Sequence, residues 1–99
     1  MFELQRKPAP AGLAALGDVE VRELGYGAMR EAMSATDKPG QSAERLLAAS
    51  LHVNGEPLGY EALQQLPGRF AGAIAASLEV CLRLHGLTGG DPETPGPNE

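Results

Sequence analysis

The 99-residue sequence predicts an α+β fold that is mainly α: a short N-terminal β-hairpin, then about four helices with the last one long and central, then a disordered C-terminal tail. The long helix is read from residues 69–85, where Phe70, Ile74, Leu78, Cys81, Leu82 and His85 recur at three- and four-residue steps and so gather on one face. The hairpin is read from the apolar–polar alternation of residues 2–6 and again of residues 19–22. The tail is read from an abrupt change after Leu87, beyond which there is no large apolar residue. Residues 1–87 are therefore expected to form one small domain, and residues 88–99 an acidic Pro/Gly tail.

In chain order, Phe2 and Leu4 of the first strand and Val19 and Val21 of the second should lean on a helix, because an isolated hairpin is marginal in water. Pro8 and Pro10 lie between them and should keep the connection from continuing the first strand. A first helix starts after Gly25 with Tyr26, Met29, Arg30 and Met33 on one stripe, and stops near Thr36 ahead of the turn cluster 37–40. Ser42 is the expected cap of a second helix that buries Ala43, Leu46, Leu47, Ser50 and Leu51. Asn54–Gly55 favours a tight turn, and Pro57 allows only edge pairing beside it. Leu58–Gly59–Tyr60 repeats Leu24–Gly25–Tyr26, which suggests two helices started the same way. A short helix over residues 60–66 then leads to Pro67, a favourable first residue for the long one.

That long helix is over-supplied with apolar surface. Ala71 and Ala75 widen its face on one side and Val80, Leu84 and Ala73 on the other, until the apolar arc reaches roughly 220° against the ~100° that a surface helix needs. Ile74 and Leu78 are expected at the centre of the core. The surplus of Val80, Leu84 and Leu87 is expected to meet another protein.

Composition narrows the function. Hydrophobic residues are 42% of the chain but aromatics only 4%, without Trp, so the core is thin and built from Leu and Ala. A net charge of -5, with the eight Lys and Arg scattered, argues against a nucleic-acid surface. A single cysteine fits a reducing compartment. No signal-peptide pattern and no run of ~20 apolar residues is visible, so a cytoplasmic protein that does not enter a membrane is expected.

Catalytic motifs are sparse. Cys81 and His85 stand four apart on one helix face, the spacing of two metal ligands or of a nucleophile and its base. The plainer reading makes Cys81 a small core residue and His85 a residue that closes the helix. Glu44, Glu56, Glu61 and Glu79 lie in polar stretches where solvated carboxylates belong. Met29 and Met33 share a stripe that either fills the core or forms an adaptable binding face. No catalytic, cofactor or metal site is expected, and no enzyme.

Residues 21–33 (Val-Arg-Glu-Leu-Gly-Tyr-Gly-Ala-Met-Arg-Glu-Ala-Met), 46–58 (Leu-Leu-Ala-Ala-Ser-Leu-His-Val-Asn-Gly-Glu-Pro-Leu) and 60–70 (Tyr-Glu-Ala-Leu-Gln-Gln-Leu-Pro-Gly-Arg-Phe) resemble, in that order, the tail assembly chaperones of long-tailed phages (lambda-like and Mu-like) and of gene transfer agents. The resemblance spans residues 19–87. It departs from the family at Gly25, where Thr or Ser is usual, and in a shorter N-terminal β segment. It implies a small, acidic, non-enzymatic protein that binds the tape measure protein and keeps it soluble until tail tube subunits polymerise around it. The tail tube protein is then a second partner, a homo-oligomer is expected, and the protein is absent from the mature particle. In many relatives a translational frameshift appends a second domain at this C-terminal end. The protein-contact residues expected here are Val80, Leu84, Leu87, Met29 and Met33. Two other readings stay open: a structural tail or head–tail component retained in the particle, and a small regulatory protein that binds other proteins.

Overall fold

The computed structural model of the protein describes residues 2–35 and 38–87, so the tail expected at 88–99 lies outside the described residues. Strands β1 (Arg6–Pro8) and β2 (Val19–Arg22) flank a 3₁₀ segment (Ala11–Leu16); helices α1 (Tyr26–Met33) and α2 (Pro39–Ser50) follow. A hairpin of β3 (Leu51–Val53) and β4 (Glu56–Pro57) leads to α3 (Tyr60–Gln64), a single 3₁₀ turn (Gly68–Phe70) and α4 (Ala71–Leu84). The mainly helical α+β prediction holds, with the long last helix in its expected place.

Alternation in Val19–Arg22 decides which way the sheet faces. Val21 lies opposite Lys7 on β1 and Leu51 on β3, and Val21 and Leu51 are fully buried, so this face looks toward the helices. Glu20 lies opposite Pro8 and His52 on the outer face. The sheet runs β1-β2-β3-β4 and is antiparallel throughout, so the two hairpins join into one sheet through β2 and β3. Asn54, in the left-handed region with φ 53° and followed by Gly55 at 89°, makes the tight turn expected of the pair. It also ties the hairpins together: its N–H donates to the Asp18 carbonyl at 2.7 Å, and its Oδ1 accepts from the Asp18 N–H at 3.0 Å.

The N-terminal strand is displaced from its expected place. The ladder runs from Arg6 through Pro8, with the Gln5 carbonyl ahead of it also accepting from the Glu23 N–H, while Phe2 is 98% exposed and Leu4 61% exposed, so neither leans on a helix. Proline does not stop this strand because β1 is an edge, where the missing N–H faces away from β2. The stretch behind it is no plain loop either. Leu13, fully buried from the 3₁₀ segment, docks that segment on α4, and burying such a side chain is worth roughly 1.5–3 kcal/mol.

Two helix starts also differ. Pro39 occupies the first turn of α2 behind Lys38, so Ser42 is inside the helix and its hydroxyl donates instead to the Met33 carbonyl at the end of α1. Gly25 and Gly59 both stand before a helix, but with φ -62° and 87° respectively, so the repeated tripeptide does not start its two helices the same way.

The core lies between the sheet and α2 and α4. Leu46, Leu47 and Ala48 of α2 meet Leu13, Val21, Leu51, Leu63, Phe70 and Cys81. On α4 the fully buried positions are Ser77 and Cys81, with Phe70 just before the helix also buried. Ile74 and Leu78, expected at the centre, are only half-buried. The helix is thus turned by roughly 60° about its axis from the expected orientation. Small residues explain the turn: a Cβ on Gly12 would come within 2.7 Å of the Ala73 Cβ, so the 3₁₀ segment approaches α4 at the one residue type that lets it.

Candidate protein-binding surface

Because α4 buries a line of small residues, its large ones fall on two flanks. One flank, with Ile74 and Leu78, faces Leu47 of α2 and Leu63 and Leu66 around α3, and the space between them is a groove of about 360 Å³. Ala71 and Ala75 stand exposed along it. Glu44 and Gln64 line the same groove and are joined by a hydrogen bond at 3.3 Å. The lining is mostly apolar, with Glu44 and Gln64 at its polar margin.

The other flank carries Val80 and Leu84. Both are half-buried, and with Gln5, Lys7 and Arg83 they line a second cleft of about 330 Å³ between β1 and α4. Leu87, 36% exposed, follows the end of the helix. Its N–H donates to the Leu82 carbonyl at 2.8 Å while that of Gly86, at φ 70°, donates to Arg83 at 3.0 Å, the paired bonds of a Schellman cap. Leu87 therefore helps to close α4 besides being partly open to contact.

Of the five residues expected to contact another protein, Val80 and Leu84 come together and Leu87 lies on the same helix end. Met29 and Met33 do not join them: both are half-buried against the core from α1. Sequence reasoning missed the groove, since it counted Ile74 and Leu78 as core. The signal that would have found it is Ser77, whose hydroxyl donates to the Ala73 carbonyl at 2.8 Å and so is buried at no cost in hydrogen bonding.

Cys81 and His85 are 3.8 Å apart, Sγ to Nδ1. Burial pushes the Cys81 thiol up, opposed in part by the Ser50 hydroxyl, so the nucleophilic thiolate is disfavoured. Both nitrogens of His85 are occupied. Nδ1 donates to the Cys81 carbonyl at 2.8 Å, and Nε2 accepts from the Leu24 N–H at 2.9 Å, which fixes the proton on Nδ1. Among the described residues no three His, Cys, Asp or Glu side chains are grouped as metal ligands.

Charge gathers on the outer face of the sheet. A hydrogen bond from Arg22, together with the charges of Arg22, Arg6 and His52, holds the Glu20 carboxyl below the usual carboxylate range. Arg6 reaches the same carboxylate at 3.7 Å. Arg45 lies over the Tyr60 ring at 4.0 Å. Among the described residues no helix is long and apolar enough to cross a membrane.

Comparison of the chain with protein-family models, with curated proteins and with solved structures gives no match.

Proposed function

We propose that the protein is a tail assembly chaperone of a long-tailed phage or gene transfer agent, which takes up apolar helical segments of the tape measure protein and keeps them soluble until tail tube subunits enclose them. The carrying observation is the open groove between α2, α3 and α4, whose accessible apolar wall is made by Leu66, Ala71, Ile74, Ala75 and Leu78. A client helix that has no core of its own gains by placing residues at i, i+3, i+4 and i+7 there. The resemblance of residues 19–87 to that family supports the same reading. So does the net charge of -5, which favours solubility of a complex with an apolar client. The protein acts by binding, without catalysis, in the cytoplasm of the producing cell, and leaves when the tube polymerises.

The test is co-expression with the tape measure protein of the same phage or gene transfer agent. Ala71→Glu with Ala75→Glu places two carboxylates in the groove from exposed positions near the start of α4, where acidic side chains suit the helix. The double variant should keep its helical circular dichroism and lose the ability to hold the client in solution. Retention by the folded variant would remove the groove from the reading, and no effect of the wild-type chain would remove the chaperone.

A further inference from the structure

Strand β1 is one edge of the sheet, and all three of its residues are exposed. Its backbone alternates in direction. Gln5 and Ala9 turn toward β2, shown by the Glu23 N–H on the Gln5 carbonyl at 2.7 Å and the Ala9 N–H on the Val19 carbonyl at 3.1 Å. The polar backbone groups of Leu4, Arg6 and Pro8 consequently point away from the sheet. Ahead of them, Phe2 and Leu4 are the two most apolar side chains left so open on this side of the molecule, at 98% and 61% exposure. Side chains on the helix-facing side, in step with Lys7, are Gln5 and Glu3. Among the described residues neither Glu3 nor Lys7 has an ion-pair partner within the chain.

We propose that two copies of this chain associate through this edge, antiparallel and centred on Gln5, so that the sheet continues from one copy into the other. The register follows from the residues. Centred on Gln5, Leu4 and Arg6 exchange both backbone bonds with the partner's Arg6 and Leu4, and the Phe2 N–H meets the partner's Pro8 carbonyl, where no donor is required of proline. Glu3 stands opposite the partner's Lys7, and Lys7 opposite the partner's Glu3. Phe2 packs on the partner's Pro8, and Leu4 lies along the stem of the partner's Arg6. Centring on Arg6 would instead set two guanidinium groups face to face, and centring on Leu4 would leave Glu3 and Lys7 unmatched.

The cleft on the second flank of α4 favours the same arrangement. Lys7 and Arg83 both line it, two cations beside Val80 and Leu84, and the paired strand brings the partner's Glu3 to its open side. Lysine and proline on an edge strand commonly guard against pairing. Here the lysine meets a carboxylate, and the proline falls where the register needs only its carbonyl. The paired segment is short, so the interface lies at the small end, below about 1,200 Å², and forms a transient dimer. This inference stands apart from the chaperone reading, since its test uses the chain alone.

The test is sedimentation velocity from roughly 10 µM to 1 mM, a range that brackets weak association. The wild-type chain should shift from monomer to dimer across it. Glu3→Lys alone and Lys7→Glu alone should each weaken the dimer by about tenfold or more, because each puts like charges opposite one another twice. Mixing the two single variants should restore association, since one supplies two cations and the other two carboxylates at matching positions. Gln5→Cys should form a disulfide-linked dimer under mild oxidation, its opposite Cα lying about 4.5 Å away. Leu4→Cys, two residues out of register with its own copy, should not; Cys81 is buried and stays out of the reaction. A wild-type chain that remains monomeric throughout, single variants that do not rescue each other, or equal cross-linking at positions 4 and 5 would overturn the proposal.

Discussion

At His85 a single ring holds two distant parts of the chain together. Its Nδ1–H is spent on the last turn of α4, and its Nε2 receives the N–H of Leu24, 61 residues earlier, where the chain leaves β2 for α1. His85→Phe fills similar space but leaves the Leu24 N–H without an acceptor. The expected loss is about 1–3 kcal/mol by urea denaturation, with faster exchange of the Leu24 amide. His85→Gln, which retains an acceptor, should recover part of it. A change in stability without any change at Leu24 would mean that the ring acts by packing alone. The sequence shows that His85 sits at a helix end, and the helix-closing role read from that position is the natural one for a residue seen without its neighbours. Its bond to Leu24 is invisible because nothing local to either residue requires the other. Cys81 is the opposite case, a small apolar residue on a helical stripe, legible as core filler and found fully buried.

Among the elements, α4 was legible in extent and not in rotation. Counting apolar side chains centres its buried face on Ile74 and Leu78, but packing selects for closeness as well as for size, and Ala73, Ser77 and Cys81 let the 3₁₀ segment and α2 come near. The critical point is Gly12 against Ala73. Gly12→Ala places a methyl 2.7 Å from the Ala73 Cβ, so the segment must lift, and roughly 1–3 kcal/mol should be lost. Ala73→Gly opens room on the helix side at a cost of ~1 kcal/mol in helix propensity. Combined, the two changes should be less harmful than their sum by about 1 kcal/mol or more, and thermal or urea melts of the four proteins measure that coupling. Strict additivity would place the contact elsewhere. The same displacement of flanking residues opens the groove, so the candidate site is a consequence of small residues in the sequence rather than of large ones. The N-terminal strand failed to read true for a related reason. Alternation marked residues 2–6, but pairing is set by which segment lies beside β2, and that is residues 5–9.

Over the whole molecule, stability is unevenly shared, and the sharing follows from where side chains are fully buried. Helix α2 contributes Leu46, Leu47 and Ala48 to the core, β2 and β3 contribute Val21 and Leu51, and α4 contributes Cys81. Helix α1 contributes no fully buried residue; it is held by the half-buried Met29 and Met33, by the Ser42 hydroxyl on the Met33 carbonyl, and by the Leu24–His85 bond just before it. This ranking is not legible in the sequence, because Met29 and Met33 on α1 and Leu46 and Leu47 on α2 form equally good stripes. What separates them is the joining of the two hairpins through residues 19–21 and 51–53, a pairing across the intervening helices that fixes α2, not α1, over the sheet. Helix α1 should therefore open without the rest of the domain. Native-state hydrogen exchange should show its amides opening at least about 2 kcal/mol more easily than those of α2 and α4, with little dependence on added urea, whereas α2, α4 and the β2–β3 pair should converge on the global unfolding energy. Met33→Ala should lower only the α1 class, since it removes one of the two apolar side chains that hold that helix down. If α1 exchanges as slowly as α2, or if Met33→Ala lowers both classes equally, α1 unfolds with the core and its methionines carry more of the fold than their partial burial implies.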